Sequence, residues 1–417
     1  MQTKNHFDGR AISKRIYISG TIVVQSPAIL TAEPGDSGID LPLFKHPEVG
    51  RPMITGTAMA GILRHYLRSR LHGFYEDGGP EALQKLVFGK QERDEGQDSW
   101  LITYDALADE GYDTEIRDSV GIDDETATAV AGAKFNYEIL LPGATFPFRA
   151  ELLIPHTEGE DDKETNLRQG TAIALQGLEK NELYIGAKTN RGFGKLSVKE
   201  WQVYELDLTT LQGLLDWLDW QWDTPPCAGQ PGNDIAKLLK ASQTDIENRN
   251  VATLKATVRI KDSMIIRSAS GEIGQPDAVH LQSKYQGQDT PVISGTSLAG
   301  AIRHRCLQIA NTKNPQKASQ LVNRLFGYAE KQNAQASRLT VEEILIEGYQ
   351  DQWPVQNRIK IDRFTGGAYH NALFDETPLF PTHDNRLTID LTVKEPTKAE
   401  IGLLLSLIHI SEPTRPY

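Results

Sequence analysis

The chain repeats itself. Ile54-Thr-Gly-Thr-Ala-Met-Ala-Gly-Ile-Leu-Arg-His65 returns as Ile293-Ser-Gly-Thr-Ser-Leu-Ala-Gly-Ala-Ile-Arg-His304, 239 positions later. Phe88-Gly89 returns as Phe326-Gly327 at an offset of 238, Ile122-Asp123 as Ile361-Asp362 at 239, and Ala133-Lys-Phe135 as Ala372-Leu-Phe374 at 239. Leu152 and Leu391 share that offset. Separated anchors that agree to within one residue mark a tandem duplication, so the chain must fold as two like units. Its 417 residues are enough for two full hydrophobic cores.

Each unit reads as α+β. In the first, Tyr17–Val24 alternates as a strand. A Gly- and Pro-rich loop follows from Glu33 to Arg51, and Thr57 stands where a helix N-cap is expected. Met59, Leu63, Tyr66, Leu67 and Phe74 fall at helical spacing. Trp100–Tyr104 and Phe148–Ile154 are strand-like, and Leu167, Ala174, Leu175 and Leu178 fit a second helix. Gly186-Ala-Lys-Thr-Asn-Arg-Gly-Phe-Gly194 then leads into a strand over Lys195–Tyr204. This order predicts a ferredoxin-like unit, the split βαβ arrangement, with a long insertion around 105–140. The expected boundaries are 11–207 for unit one, 208–250 for a linker, and 251–405 for unit two.

The linker holds a helical stretch, Leu208–Trp222, whose Trp217, Trp220 and Trp222 are expected to pack between the units rather than form a cofactor box. The counterpart of the Gly186 loop would fall at 425, past the last residue, so unit two reads as incomplete. Ser406–Tyr417 reads as a translated sequencing-adapter tail and is set aside.

Composition narrows the function. Net charge is −12, which for a whole chain argues against nucleic acid. The distribution reverses that: residues 251–400 carry 18 basic and 16 acidic side chains, whereas residues 1–250 carry 25 and 39. Much of the acidity lies in runs such as Glu158-Gly-Glu-Asp-Asp-Lys-Glu164, which read as solvated loops. The two cysteines, Cys227 and Cys306, exclude a disulfide scaffold and a cysteine zinc cluster. No apolar run reaches the ~20 residues of a membrane span, and no secretory leader is visible, so a cytoplasmic protein is expected.

Two motifs carry chemistry. The first is Gly56-Thr57 with Gly61 and Arg64, and its copy Gly295-Thr296-Ser297 with Gly300 and Arg303. A helix N-terminus presents unpaired N–H groups and partial positive charge that can seat a phosphate. Glycines admit another backbone, and Arg64, Arg68 and Arg303 add charge nearby. The bland alternative is an ordinary capped helix with glycines for tight packing; recurrence in both units favours the phosphate seat. The second motif is the Gly186–Gly194 loop, where Lys188, Arg191 and Gly192 can wrap a phosphate backbone. It lacks the Gly-Lys-Ser/Thr ending of a P-loop and opens a strand, unlike a dinucleotide fingerprint. Its alternative is a tight turn with a basic tip.

These motifs, together with Ile361-Asp-Arg-Phe-Thr-Gly-Gly-Ala368 in the mid-unit insertion, resemble the RAMP proteins of CRISPR systems. More narrowly, they resemble the backbone subunits of type III effector complexes, in a two-unit fused form. The resemblance covers about Arg15–Tyr204 and Val251–Leu405. It implies that the units stack along a guide RNA held partly by the first helix, beside a target single-stranded RNA and other subunits of the complex. It implies thumb-like hairpins near Val120–Glu138 and Ile359–Thr377, with Arg363 and Thr365 among the RNA contacts. It further implies that an Asp in the loop before the first helix supports Mg²⁺- or Mn²⁺-dependent cleavage of the target. Asp40 in Gly38-Ile-Asp-Leu-Pro-Leu43 matches that pattern, and Asp277 is the counterpart in unit two, without the following Pro. Asp36 is a rival in the same loop, and a turn residue before Pro42 is the alternative for Asp40.

The sequence departs from the resembled pattern at Ala60 and Ala299, where a Lys is frequent, and in the unit-one thumb, which lacks the Arg and paired glycines of unit two. Two further readings therefore stand beside an RNA-guided endoribonuclease subunit. One is a scaffold that only binds guide RNA. The other is a nuclease that processes guide precursors, which leans on histidine; His46 and His280 are loop histidines, and His65 and His304 recur on the helix. Asp123 and Asp362 recur at a thumb position and are expected to be structural, at the hairpin base.

Overall fold

The computed structural model describes residues 11–33, 38–79, 82–90, 96–123, 128–156, 161–268, 276–285, 287–329, 334–350 and 352–409. The rival Asp36 lies outside them.

Unit one is built on β1 (Ile12–Val24), α1 (Gly56–His72), a short α2 (Leu83–Phe88), β2 (Leu101–Thr103), β3 (Thr114–Ile122), β4 (Ala129–Leu140), β5 (Thr145–Pro155), α3 (Asp161–Glu179) and β6 (Lys195–Asp207). The antiparallel sheet runs β6-β1-β5-β2, with Ile18 opposite both Ala150 and Val203. That is the ferredoxin-like order. The alternation along β1 puts Ile16, Ile18, Ile22 and Val24 on the face covered by α1 and α3, where they join Leu63, Leu67, Phe146, Phe148, Leu175, Leu178 and Trp201 in one core.

The opposite face of this sheet is closed by the linker. After α4 (Leu211–Leu218), Trp220 stacks on Tyr17 of β1 with centroids 3.9 Å apart, and meets Tyr204 of β6 edge-on at 5.2 Å. Trp222 packs against Tyr17 and Tyr104, and Arg15 lies over Trp217 at 4.7 Å. The tryptophans thus cover unit one's own sheet, which corrects the expectation that they pack between the units. A linker that leaves β6 beside an uncovered aromatic face folds back onto it before it reaches the second unit.

Unit two repeats the plan with β7 (Val251–Val258), α5 (Gly295–Lys313), α6 (Pro315–Phe326), β8 (Leu339–Val341), β9 (Gln356–Ile361), β10 (Ala368–Thr377), β11 (Leu387–Lys394) and α7 (Lys398–His409). The sheet order is β7-β11-β8, with Leu391 opposite Leu254 and Val341. It is the β1-β5-β2 portion of unit one again; among the described residues nothing extends it beyond β7. The core joins Ala299, Cys306, Val322, Leu325, Phe326, Val393, Leu403 and Leu404. Thr397 and Glu400 form a capping box at α7, and the fully buried Glu400 also accepts from Arg338 at 2.8 Å, which ties α7 to the sheet. Helix α7 runs through residue 405 to His409. Two tandem ferredoxin-like α+β units are therefore present, and no helix of the described residues is long and apolar enough to cross a membrane.

Both insertions form long antiparallel hairpins. β3–β4 pairs Arg117 with Tyr137, and β9–β10 pairs Arg358 with Phe374. Their strands carry exposed apolar side chains, Ile116, Val120 and Ile122 in one and Ile359, Ile361 and Leu373 in the other.

Candidate nucleic-acid interface

The two first helices are capped by Thr55 and Ser294, so the unit-one cap lies two residues before the expected Thr57, and the unit-two cap two residues before the equivalent Thr296. Each cap hydroxyl accepts from the backbone N–H three residues on, Ala58 at 3.2 Å and Ser297 at 3.3 Å. Thr57 and Thr296 sit inside the first turn and touch the cap hydroxyls at 3.1 and 3.2 Å. Ser297 also receives a hydrogen bond from Ser294 through its hydroxyl at 2.9 Å. Gly56 donates its N–H to Asp105 at 2.7 Å, so one amide of the unit-one helix end already holds a carboxylate. A Cβ at Gly56 would stand 2.2 Å from the Thr103 carbonyl, and one at Gly295 2.2 Å from the Arg191 carbonyl; these first glycines serve close packing.

The second glycines differ. A Cβ at Gly61 or at Gly300 would meet nothing within 4 Å. Both are exposed, on a helical stripe with Thr57, Ala58 and His65 in α1 and with Ser297, Ala301 and Gln308 in α5. A mid-helix glycine costs roughly 0.5–1 kcal/mol against alanine. Nothing in the described fold requires that cost, yet both units carry it, and each leaves a strip of bare helix backbone facing outward.

The basic residues divide. Arg64 is half-buried at the margin of the α1 stripe. Arg68 turns back to the Phe74 carbonyl at 3.3 Å and to His65 at 3.1 Å. Arg303 caps the end of α6, donating to the Gly327 carbonyl at 3.0 Å and to Asn323 at 2.9 Å. In the Gly-rich loop, Arg191 reaches into unit two, toward Ser337 at 3.3 Å and the Leu339 and Phe326 carbonyls at 3.4 Å. Burial and the neighbouring Arg303 charge lower its pKa. Gly192 is left-handed (φ +83°), and a Cβ there would stand 2.7 Å from the Glu342 backbone. This end of the loop is the dock between units. Lys188, at its other end, lies over the rings of Tyr137 (4.0 Å) and Phe135 (4.8 Å) with no carboxylate partner among the described residues, and burial pushes its pKa down to about 8.

Asp40 and Asp277 occupy equivalent places, although they are 237 residues apart rather than 239. Asp40 exchanges two bonds with Asn136 of β4: its Oδ2 accepts the Asn136 N–H at 2.8 Å, and its own N–H donates to the Asn136 Oδ1 at 2.8 Å. Asp277 Oδ2 accepts the N–H of Asp375 on β10 at 3.0 Å. Asn136 and Asp375 are themselves 239 apart. The next residues, Leu41 and Ala278, run parallel to Tyr137 and Glu376 in matching bridges. Each carboxylate is exposed at the foot of its thumb, with one oxygen fixed by a backbone amide.

The unit-one thumb leans on unit two. Arg117, 3% exposed, makes a bidentate pair with Glu343 at 2.5 and 3.2 Å and a bond to Glu115 at 3.1 Å, while Ser283 donates to Glu115 at 3.1 Å. The result is a cavity of about 450 Å³ with Asp118, Ser119, Val120 and Lys134 of the unit-one thumb on one side, and Arg267, Ser268, Asp277, Ala278 and Phe374 of unit two on the other. The unit-two thumb ends in a tight turn: Asp362 accepts the N–H groups of Phe364 (2.7 Å) and Thr365 (3.2 Å), and Thr365 accepts that of Gly367 (3.3 Å). Arg363 is exposed there and Phe364 fully so. Asp362 is thus structural, at the hairpin tip rather than its base; Asp123 holds the same tip position through its N–H to the Thr128 carbonyl at 2.9 Å.

The histidines are engaged locally. His46 accepts turn amides of Glu48 and Val49, and His304 meets Gln308 at 2.9 Å. His280 is fully buried, accepts the Ile266 N–H at 3.1 Å, and is pushed by burial to a pKa of about 4. No three His, Cys, Asp or Glu side chains converge as a metal cage among the described residues. Sequence reading missed the Arg117–Glu343 pair, Arg267 and Lys134.

Comparison with known families sets this geometry in context. The family model of the RAMP superfamily matches residues 15–197 and 266–411, well over half of the chain in two regions that follow the two units. The chain belongs to the RAMP superfamily, a group associated with CRISPR complexes and RNA binding. No curated protein matches it significantly.

Proposed function

We propose that this protein is a guide-RNA-binding backbone subunit of a type III CRISPR interference complex, and that it cleaves complementary target RNA at one carboxylate per unit, Asp40 and Asp277. The observation that carries the reading is the doubling of two features that the fold itself does not need: a bare glycine strip on each first helix, and a backbone-pinned, solvent-facing carboxylate at the foot of each thumb. The strip suits a sugar-phosphate backbone laid against the helix, with Arg64, Lys188 and the exposed Arg363 supplying charge. The sealed sheet face of unit one excludes base stacking on that face of the kind an RRM uses.

The chemistry asks little of the protein. The 2′-oxygen attacks the adjacent phosphorus, the bond to the 5′-oxygen breaks, and a 2′,3′-cyclic phosphate and a 5′-hydroxyl result. The 2′-hydroxyl proton leaves to solvent, and the departing oxygen takes one up. The thumb splays a base, which turns the backbone toward in-line geometry. Each Asp keeps one oxygen fixed and the other free. A single carboxylate with no converging partners fits a hydrated Mg²⁺ or Mn²⁺ that retains most of its water; Asp40 and Asp277 would hold it. Such an ion supplies charge stabilisation beside the phosphate.

The test is the assembled complex with its guide RNA and a complementary target. Cleavage that proceeds with Mg²⁺ or Mn²⁺ and stops with EDTA, while guide binding persists, supports the reading. Guide and target binding without cleavage in either metal leaves the scaffold function in its place.

A further inference from the structure

We infer that Arg267 is a substrate-contacting residue of the second site, which grips the scissile phosphate of the target RNA beside Asp277; the inference rests on the cleavage reading above. Arg267 lines the same cavity as Asp277, opposite the unit-one thumb. It is preset rather than consumed by its neighbours. Arg267 donates to the Glu376 Oε2 at 3.1 Å and lies 5.2 Å from the Phe374 ring centroid. The other Glu376 oxygen, Oε1, accepts from Arg358 at 2.7 Å. One carboxylate thus faces two guanidinium groups, and one positive charge is left over. The shorter bond belongs to Arg358, while the Arg267 side chain stays 61% exposed.

Charge on the far wall adds no competitor. Lys134 pairs with Asp118 at 3.1 Å, so the thumb contributes a neutral pair. Among the described residues of the cavity, what remains beyond these pairs is the Asp277 carboxylate and an Arg267 guanidinium that shares its one carboxylate with Arg358. A planar guanidinium with fixed donors matches two non-bridging phosphate oxygens, and its charge opposes the one that builds on them as phosphorus becomes five-coordinate.

The first site lacks this residue. Arg267 bridges His280, which stands three residues after Asp277; in unit one, Leu43 stands three residues after Asp40 and bridges Thr31. Thr31 is therefore the topological counterpart of Arg267. The two sites of one chain should differ in their dependence on this position, and each is the other's internal control.

The experiment uses the complete complex and a target long enough to yield both product bands. Arg267→Ala is expected to slow the Asp277-dependent band by roughly 10²-fold, the scale of a lost oxyanion donor. It should leave the Asp40-dependent band within twofold and target affinity within threefold. Arg267→Lys should recover only part of the rate. A phosphorothioate at the unit-two scissile position should slow the wild type more than Arg267→Ala, a signature that a purely structural role would not produce. If Asp277→Ala abolishes the band and Arg267→Ala leaves it unchanged, the proposal falls and the cleavage reading stands. If Asp277→Ala itself leaves every band, the cleavage reading fails at this site and the proposal with it. Equal loss of both bands, or of target affinity, would also overturn it.

Discussion

Unit one and unit two are the same plan under different support. Unit one flanks β1 with β6 and covers the reverse face of its sheet with Trp220 and Trp222. The corresponding sheet of unit two has three strands among the described residues, and β7 lies at its margin. The thumbs show the same asymmetry. That of unit one is fastened to its neighbour through Arg117 and Glu343, whereas that of unit two carries a fully exposed Phe364 at its tip. The unit-one thumb is completed by the unit after it, and the cavity at Asp277 belongs to both units at once.

The largest effect should come from breaking that fastening. Arg117→Ala leaves the almost buried Glu343 without its partner, which typically costs about 3–5 kcal/mol. Denaturant unfolding should show that loss, with faster proteolysis of the β3–β4 hairpin. A change below 1 kcal/mol would mean that the thumb is not docked in solution.

A second effect separates the units by pH. His280 is buried neutral, with a folded pKa near 4 against an ordinary 6.5. Its pKa is depressed, so its neutral form favours the fold above about 6.5, and that contribution is lost as pH falls from 6.5 toward 4. The loss is bounded near ~3 kcal/mol. His280→Asn retains an acceptor for the Ile266 N–H and should flatten the decline in melting temperature of unit two between pH 7 and 5. An unchanged acid slope would contradict the burial argument.

A third change tests the sealed face. Trp220→Ala removes the stacking on Tyr17 and should cost about 2 kcal/mol, confined to unit one. Equal destabilisation of both units would return the tryptophans to an inter-unit role. The smallest effect is the most diagnostic. Gly61→Ala and Gly300→Ala meet no neighbour, so each should stabilise the free protein by roughly 0.5–1 kcal/mol. Each should also weaken guide RNA binding, measured by titration. Stabilisation without any loss of affinity would remove the glycine strips from the RNA path.

Much of this was legible in the sequence because it is local. The repeat offset located both first helices, and the alternation of Tyr17–Val24 located the central strand. Asp123 and Asp362 were legible as structural by their shared offset, though their place at the hairpin tip rather than its base was not. What was hidden depends on distance. Thr57 looked like the cap because it lies beside a glycine, but the bond is made by Thr55, whose role only the first-turn geometry reveals. The face that Trp220 covers is decided by the path of the linker. Arg117 and Glu343 are 226 residues apart with no pattern to join them. Arg191 read as a free basic tip because the sequence does not show that unit two closes over it.

The central claim is that the chain holds two equivalent cleavage sites. The measurement that tests it most directly is a map of target-RNA products from the reconstituted complex carrying Asp40→Ala, Asp277→Ala or both. The account predicts that each single substitution removes a different band by at least 10²-fold, that the double removes both, and that guide RNA binding survives in all three. Bands that persist at full rate in the double variant would contradict it.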